Sequence, residues 1–346
     1  MSKITVVGAG SWGTAQAILL ANNGHEVFLW GRIEDNILEM EKERENKRFL
    51  PGIILPDKLN ITADLTKATE ATNMIVLAVP AQAIRETIIK LKPVLQKVII
   101  VNTAKGIEIS TGMRMSEVVM DVLGEETLQQ YAVLSGPSHA EEVARLVPTV
   151  VTVGAFYKDI AFQVQDTFMS NYFRVYTNPD VAGVELGGAL KNIIALATGI
   201  VAGLAYGDNT KAALITRGLT EMTRMGVAMG GDARTFSGIS GIGDLMVTCN
   251  SQLSRNRLAG EMLGQGYSLE DTLKKVGMVV EGVHTTRIVH NLAQRMNIDM
   301  PITKACYNIL YNKESPESEL EKMMQRDKKH EIEEIVSNLE GWLDKN

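Results

Sequence analysis

The sequence predicts an α/β protein: a doubly wound, mostly parallel sheet followed by an all-helical C-terminal part. Three observations predict it. Short, β-branched apolar runs alternate with helical patterns up to about residue 185, as in a parallel sheet covered on both faces. The first of these runs leads directly into a glycine-spaced turn and an Ala/Leu-rich helix. After Val184 the strand-like runs stop, and long Ala/Leu/Ile/Met patterns at helical spacing, broken by Gly-rich turns, take over.

The first strand is Lys3-Ile4-Thr5-Val6-Val7, and Gly8-Ala9-Gly10-Ser11-Trp12-Gly13 follows it at once. Thr14 to Asn23 reads as a helix that Gly24 can stop. In this context the G-x-G-x-x-G spacing marks a Rossmann-type dinucleotide site. Gly8 permits the tight turn, Gly10 lets a pyrophosphate approach the backbone, and Gly13 lets helix and strand pack closely. The free N–H groups and positive dipole end of the helix face the phosphates.

Val27 to Trp30 forms the second strand and ends at Gly31-Arg32. An NAD-specific site usually has an acid here for the ribose 2′-hydroxyl. The nearest acid is Glu34, and Arg32 is better placed to meet a 2′-phosphate; a solvated arginine gives the same pattern. Residues 33 to 48 read as one charged amphipathic helix, and 49 to 56 as a loop punctuated by Pro and Gly. Met74 to Pro80 is a buried strand ended by proline, Ala81 to Leu91 a helix, and Val98 to Asn102 a further strand. That strand runs into Thr103-Ala104-Lys105-Gly106, which puts Lys105 beyond a carboxyl end, where ligands of open α/β sheets sit. A surface lysine is the alternative. Ala132 to Leu134 is a strand leading through the small-residue loop Ser135 to Ala140 into a helix over Glu141 to Arg145. Thr149 to Val153 and Phe173 to Tyr176 read as closing strands. The division expected is a dinucleotide-binding domain over 1–185 and an all-helical substrate-binding and catalytic domain over 186–346. The charged, amphipathic tail from Glu314 to Asn346 reads as a terminal helical hairpin.

Net charge is −6, which disfavours a general binder of nucleic acid or anionic membrane but leaves room for a local basic pocket. The only cysteines, Cys249 and Cys306, lie far apart, as expected in a reduced intracellular compartment. The start of the chain lacks the basic region of a signal peptide. The most apolar run, Leu186 to Ala205, carries Lys191 and several glycines and reads as a buried core helix rather than a membrane span. The five histidines show no metal-ligand spacing, so no metal is expected.

Three stretches of the helical part are unusual for a plain core. Lys191 and Asn192 sit inside an apolar helix flanked by small residues. A desolvated lysine has its pKa lowered toward the range of proton transfer, whereas a snorkelling one does not. Ser237 to Leu245 is glycine-rich and carries Asp244, suited to orienting or balancing a lysine; Thr248 and Cys249 follow, and the cysteine reads as packing. Ser254-Arg255-Asn256-Arg257 offers a guanidinium fork with hydroxyl and amide neighbours, good chemistry for a phosphate and equally a solvated helix start.

Taken together these stretches resemble one family, the bacterial NAD(P)-dependent glycerol-3-phosphate dehydrogenases. The resemblance covers nearly the whole chain. It rests on GAGSWGTA at 8–15, LWGR at 29–32, FLPGI at 49–53, AVPAQAIR at 78–85, AKGIE at 104–108 and SGPSHAEEV at 135–143. It continues in ELGGALKNIIA at 185–195, ITRGLTEM at 215–222, GIGDLMVTC at 241–249, SRNR at 254–257 and VVEGVHTT at 279–286. The resemblance implies an oxidoreductase that reversibly reduces dihydroxyacetone phosphate to sn-glycerol 3-phosphate with NADP or NAD as coenzyme, feeding phospholipid synthesis in the cytoplasm. It implies that Lys191 is the proton donor and acceptor. Lys105, Gly136, Ser138, Lys191, Asp244, Ser254, Arg255 and Asn256 match the family's substrate contacts. Ser11, Trp12, Arg32, Phe49, Lys105, Ala140, Arg255, Val279 and Glu281 match its cofactor contacts, beside Gly8, Gly10 and Gly13 of the glycine turn. The expected partners are the small-molecule substrate pair, with neither nucleic acid nor a membrane span; a homodimer stays open. A related β-hydroxyacid dehydrogenase of the same architecture is the alternative enzyme.

Overall fold

The computed structural model describes residues 2–95 and 98–328. Its N-terminal part comprises β1 (Lys3–Val7), α1 (Ser11–Asn22), β2 (Glu26–Trp30), α2 (Ile37–Glu43), β3 (Glu45–Asn46), β4 (Leu50–Ile54), β5 (Asn60–Thr62) and α3 (Leu65–Thr69). There follow β6 (Met74–Leu77), α4 (Ile84–Leu91), β7 (Ile99–Asn102), α5 (Met115–Leu123), β8 (Tyr131–Ser135), α6 (Ala140–Ala144), β9 (Thr149–Ala155), α7 (Lys158–Phe168) and β10 (Phe173–Asn178). Eight strands form one sheet in the order β10-β9-β8-β7-β6-β1-β2-β5. Every neighbouring pair is parallel except β8 with β9. The chain starts in the middle of the sheet at β1 and builds outward first through β2 and β5, then through β6 on the other side. The crevice between the ends of β1 and β6 is therefore the place where strand order reverses, the usual ligand position in such sheets.

Successive strand residues serve opposite faces, as the pleat requires. Val6, Val76 and Val101 pack with α1 and α7 residues such as Leu19 and Phe168. Val7, Ile75, Leu77 and Ile100 pack with Ile84 and Ile88 of α4 and with Val118 of α5. Both faces are buried, which is why these strands read as continuous apolar runs.

Residues 33–48 do not form the single helix that their charge pattern suggests. One turn at Ile33–Asp35 is followed by Asn36 at φ 61°, then by α2, then by Arg44 at φ 54°. Tertiary hydrogen bonds outweigh helix propensity here. The Arg44 guanidinium donates to the carbonyls of Pro56 and Leu59, the latter at 2.9 Å. The buried Asn46 amide donates to the Ala9 carbonyl at 2.9 Å and to Thr14 Oγ1 at 2.8 Å. The expected loop at 49–56 contains β4, which pairs antiparallel with β3. The resulting hairpin is tied to the glycine turn by these Asn46 bonds and by Ser11 Oγ donating to the Phe49 carbonyl at 2.6 Å.

The C-terminal part is helical: α8 (Val181–Gly203), α9 (Asp208–Ala228), α10 (Ala233–Phe236), a wide turn at Ile239–Gly243, α11 (Asp244–Asn250) and α12 (Arg255–Gly264). It ends with α13 (Leu269–Val276), α14 (Glu281–Met296), α15 (Pro301–Tyr311) and α16 (Pro316–Met324). The change of texture read near Glu185 falls inside α8, which Asp180 caps by accepting from the Gly183 N–H. Of the expected terminal hairpin, α16 is described and 329–346 lie outside the described residues.

α8 is the axis of this part. It is long and apolar enough to cross a membrane, yet 89 % of its most apolar window is buried within the protein. Its glycines explain how. A Cβ on Gly199 would lie 2.0 Å from the Arg257 carbonyl oxygen, and one on Gly260 2.0 Å from that of Leu196. Only glycine lets α8 and α12 approach backbone to backbone, and that contact lays the start of α12 beside Lys191 and Asn192. At its other end, α8 is tied to the sheet by buried Glu185. Its carboxylate accepts from Tyr131 Oη at 2.5 Å, from Ser116 N and Oγ at 2.8 and 2.7 Å, and from Arg114 at 3.1 Å.

Candidate active site

The glycine turn, the segments after β6, β7 and β8, the middle of α8 and the starts of α12 and α14 enclose one cavity of about 1120 Å³. Every candidate site residue lines it except Gly13, Gly136 and Asp244, which sit just behind its wall.

The glycine turn behaves as its spacing predicts. Gly8 has φ +118°, and a Cβ there would meet the Ala78 carbonyl oxygen at 2.7 Å. A Cβ on Gly13 would fall 1.9 Å from the Gly8 carbonyl oxygen, so Gly13 acts through packing. At Gly10 a Cβ would meet nothing within 4 Å; the space beside it is open to a ligand. The first turn of α1 carries no acid to oppose its dipole. Three buried polar atoms of the cavity's residues, Trp12 Nε1, His139 Nε2 and Glu281 Oε2, have no hydrogen-bond partner among the described residues. Glu281 Oε1 accepts from the Ala81 N–H at 3.4 Å, and burial pushes its carboxyl above the usual range. Open backbone donors and unpaired buried polar atoms along one cavity fit a dinucleotide. Ala140 and Val279 line the same wall.

The mouth of the cavity near β2 differs from the expectation. Arg32 does line it, but its guanidinium is bound by Asp35, Nε to Oδ2 at 2.9 Å and Nη2 to Oδ1 at 3.0 Å. The nearest acid in space is thus Asp35 rather than Glu34, because the helical turn at 33–35 brings the i,i+3 partner, not the i,i+2 one, onto the Arg32 face. Phe49 lines the cavity with Arg48, whose guanidinium lies 4.8 Å from the Phe49 ring centre.

The inner end holds the charged cluster. Asp244, 1 % exposed, opens α11 directly behind α8. It accepts from Lys191 Nζ through Oδ1 and from Lys105 Nζ through Oδ2, the latter at 2.6 Å. Lys105 Nζ also donates to the Gly136 carbonyl at 2.9 Å, and so does Ser138 Oγ. Lys191 Nζ bonds Thr248 Oγ1 at 2.6 Å, and Thr248 in turn donates to the Asp244 carbonyl. Burial pushes the Lys191 ammonium down to about 8; Asp244 opposes that shift, and Lys105 reinforces it. Burial alone would raise the Asp244 carboxyl, but the Lys105 and Lys191 charges hold it below its ordinary value. The result is a lysine that exchanges a proton near neutral pH, facing a cavity. Cys249 beside it is buried, and burial lifts its thiol to about 11, so it packs.

Ser254 caps α12, its Oγ accepting from the Arg257 N–H at 3.3 Å. Asn256 joins three elements: it donates to Asn192 Oδ1 at 2.9 Å and accepts from the Gly282 N–H at 2.8 Å. Arg255 is exposed in the cavity and makes no hydrogen bond or ion pair among the described residues. Arg257 is instead committed to Glu261 at 2.6 Å. Of the two arginines in the motif, the first is therefore available to an anion. His139, which the sequence did not single out, also lines the cavity, with Nε2 buried and without a partner. Nothing in its spacing marks it.

Comparison with known proteins agrees with this geometry. Residues 3–161 match the N-terminal family of NAD-dependent glycerol-3-phosphate dehydrogenase, and residues 180–321 match its C-terminal family. A glycerol-3-phosphate dehydrogenase [NAD(P)+] of Syntrophomonas wolfei is 62 % identical over 343 residues, covering 99 % of this chain and 100 % of that protein. One from Bacillus cereus is 52 % identical over 336 residues, covering 97 % of this chain and 99 % of that protein. The crystal structure of the Coxiella burnetii glycerol-3-phosphate dehydrogenase superposes with a TM-score of 0.89 at 40 % identity, covering 94 % of this chain and 99 % of that one. With both halves matched and the relatives aligned end to end, the chain belongs to the NAD-dependent glycerol-3-phosphate dehydrogenase family.

Proposed function

We propose that this protein reversibly reduces dihydroxyacetone phosphate to sn-glycerol 3-phosphate, using NADPH or NADH, and that it supplies glycerophospholipid synthesis in the cytoplasm. The observation that carries the reading is the Lys105–Asp244–Lys191 cluster, built on buried Asp244 and Lys191, at the inner end of a cavity whose other end is the glycine turn.

The coenzyme, when bound, supplies the hydride. Gly8, Gly10, Ser11 and Trp12 would hold its pyrophosphate side, Arg32 and Phe49 its adenosine side, and Ala140, Val279 and Glu281 its inner part. Lys191 gives its proton to the oxygen that gains charge at the substrate's C2 as the ketone is reduced, and takes it back in the reverse direction. Asp244 holds Lys191 in place and keeps its ammonium form accessible in spite of burial. Lys105 places a second cation beside the same oxygen. Arg255, with Ser254 and Asn256 at the start of α12, takes the substrate phosphate, where binding energy remote from the reacting carbon can position it.

The test is optical. Dihydroxyacetone phosphate added to protein and NADPH or NADH should discharge the reduced-coenzyme absorbance, and β-keto or β-hydroxy carboxylates should not support turnover. Turnover with the carboxylates alone would replace this reading with the β-hydroxyacid one.

A further inference from the structure

Two of the cations at the outer mouth of the cavity are halves of ion pairs. Arg32 is bound bidentately by Asp35, and Lys90 is bound by Glu86 at 2.7 Å. Arg48 donates to the Glu34 carbonyl at 3.0 Å. The Arg32–Asp35 pair is asymmetric: the guanidinium side chain is 66 % exposed and the carboxylate 17 %. The carboxylate is therefore the fixed partner, held in the one-turn segment 33–35 that the left-handed Asn36 closes. The arginine is the partner free to swing.

We propose that Asp35 is a specificity-determining residue that sets the choice between NADPH and NADH. Its carboxylate competes with the coenzyme's 2′-phosphate for the Arg32 guanidinium and repels that phosphate. When the coenzyme carries a 2′-hydroxyl instead, the same carboxylate is an acceptor for it, as an acid about 20 residues beyond the glycine turn is in NAD-specific sites. Arg32 and Asp35 thus act as one unit that accommodates both coenzymes and favours neither strongly. This rests on the reading that the Arg32 end of the cavity holds the adenosine ribose.

The experiment is direct titration of NADPH and NADH against the intact protein, followed by calorimetry, for the wild type, Asp35→Asn and Arg32→Ala. A unit charge about 4 Å away in water is worth roughly fivefold in affinity, and a 2′-phosphate carries more than one charge. Asp35→Asn should therefore tighten NADPH by about fivefold or more while it weakens NADH. A loss of local structure would move both constants the same way. An unchanged NADPH/NADH ratio, or both constants moving together, overturns the role of Asp35. Arg32→Ala separates this failure from that of the underlying reading. If it weakens NADPH selectively while Asp35→Asn is silent, only the proposal falls. If it leaves both coenzymes untouched, the ribose is not at Arg32, and both fall.

Discussion

Two aspartates in this molecule hold basic side chains along the same cavity, and they differ in almost everything except that chemistry. Asp35 grips one guanidinium at the solvent-facing mouth, where water screens the pair and such bridges are worth about 0–1 kcal/mol. Asp244 grips two ammonium groups at the inner end, where it is 1 % exposed and Lys191 is 6 % exposed. There the attraction is strong, the desolvation cost is also large, and removing one partner of such a pair costs about 3–5 kcal/mol. The difference shows what an ion pair does at each depth. At the mouth it is exposed and screened, which is why the proposal above has a ligand phosphate compete for the guanidinium. At the inner end it is buried, and its charge opposes the fall that burial imposes on the Lys191 pKa.

That contrast yields a graded set of expected outcomes. The largest effect belongs to the inner lysine. Lys191→Ala should lower kcat by about 10²–10⁴-fold, the usual weight of a positioned acid–base group, with coenzyme dissociation constants little changed. Near-normal turnover would move the role elsewhere, most directly to Lys105. Next is its support. Asp244→Asn leaves the buried Lys191 and half-buried Lys105 ammonium groups facing an amide and should reduce unfolding free energy by about 3–5 kcal/mol in denaturant titration. The same variant should shift the pH profile of kcat downward, because Asp244 is what holds the Lys191 pKa up. An unshifted profile would make Asp244 a packing residue only.

The phosphate grip should be of similar or smaller size. Arg255→Lys should remove most of the preference for dihydroxyacetone phosphate over unphosphorylated dihydroxyacetone, on the order of 2–5 kcal/mol in kcat/KM. A variant that keeps the preference but loses NADPH affinity would assign Arg255 to the coenzyme. A milder effect is the pH response of the wild type. Lys191 is protonated below about 8, so ketone reduction should decline as pH rises through that value while alcohol oxidation increases. Parallel profiles in the two directions would show that Lys191 does not carry the proton. The smallest effect is at the mouth. Arg32→Asp should weaken NADPH more than NADH, by about 1 kcal/mol per unit charge; equal loss of both would show that Arg32 does not read the 2′-phosphate.

Much of this was legible in local sequence. The glycine turn sits between strand and helix as its spacing requires, and the strands at 3–7, 26–30, 74–77 and 99–102 fall where the apolar runs lie. The mixed stretch at 33–48 was not legible, since its charge pattern satisfies a helix and the bonds that break it come from Ala9, Thr14, Pro56 and Leu59. Asp35 was missed because Glu34 is the nearer acid along the chain, whereas Asp35 lies across one turn from Arg32, at i,i+3, where the two side chains share a face. The glycines of α8 had no role assigned from sequence, and that of Gly199 is visible only in its approach to α12, which Gly260 of α12 matches from the other side.

By itself the sequence determined most of the element types, the glycine turn between strand and helix, the motifs that mark the family and the presence of a lysine inside an apolar helix. Those features follow from periodicity, turn chemistry and composition, which act over a few residues. Tertiary structure alone decided which charges meet. Lys105 and Asp244 are 139 positions apart, and Lys191 and Asp244 are 53 apart; no local rule pairs them. They meet because the sheet delivers Lys105 beyond the end of β7, and because α11 packs its first residue against the middle of α8. Burial at that junction then lowers the Lys191 pKa, and the two lysine charges hold the Asp244 pKa down against burial, a property of the surrounding dielectric and of neighbouring charges that the chain acquires only once it is folded.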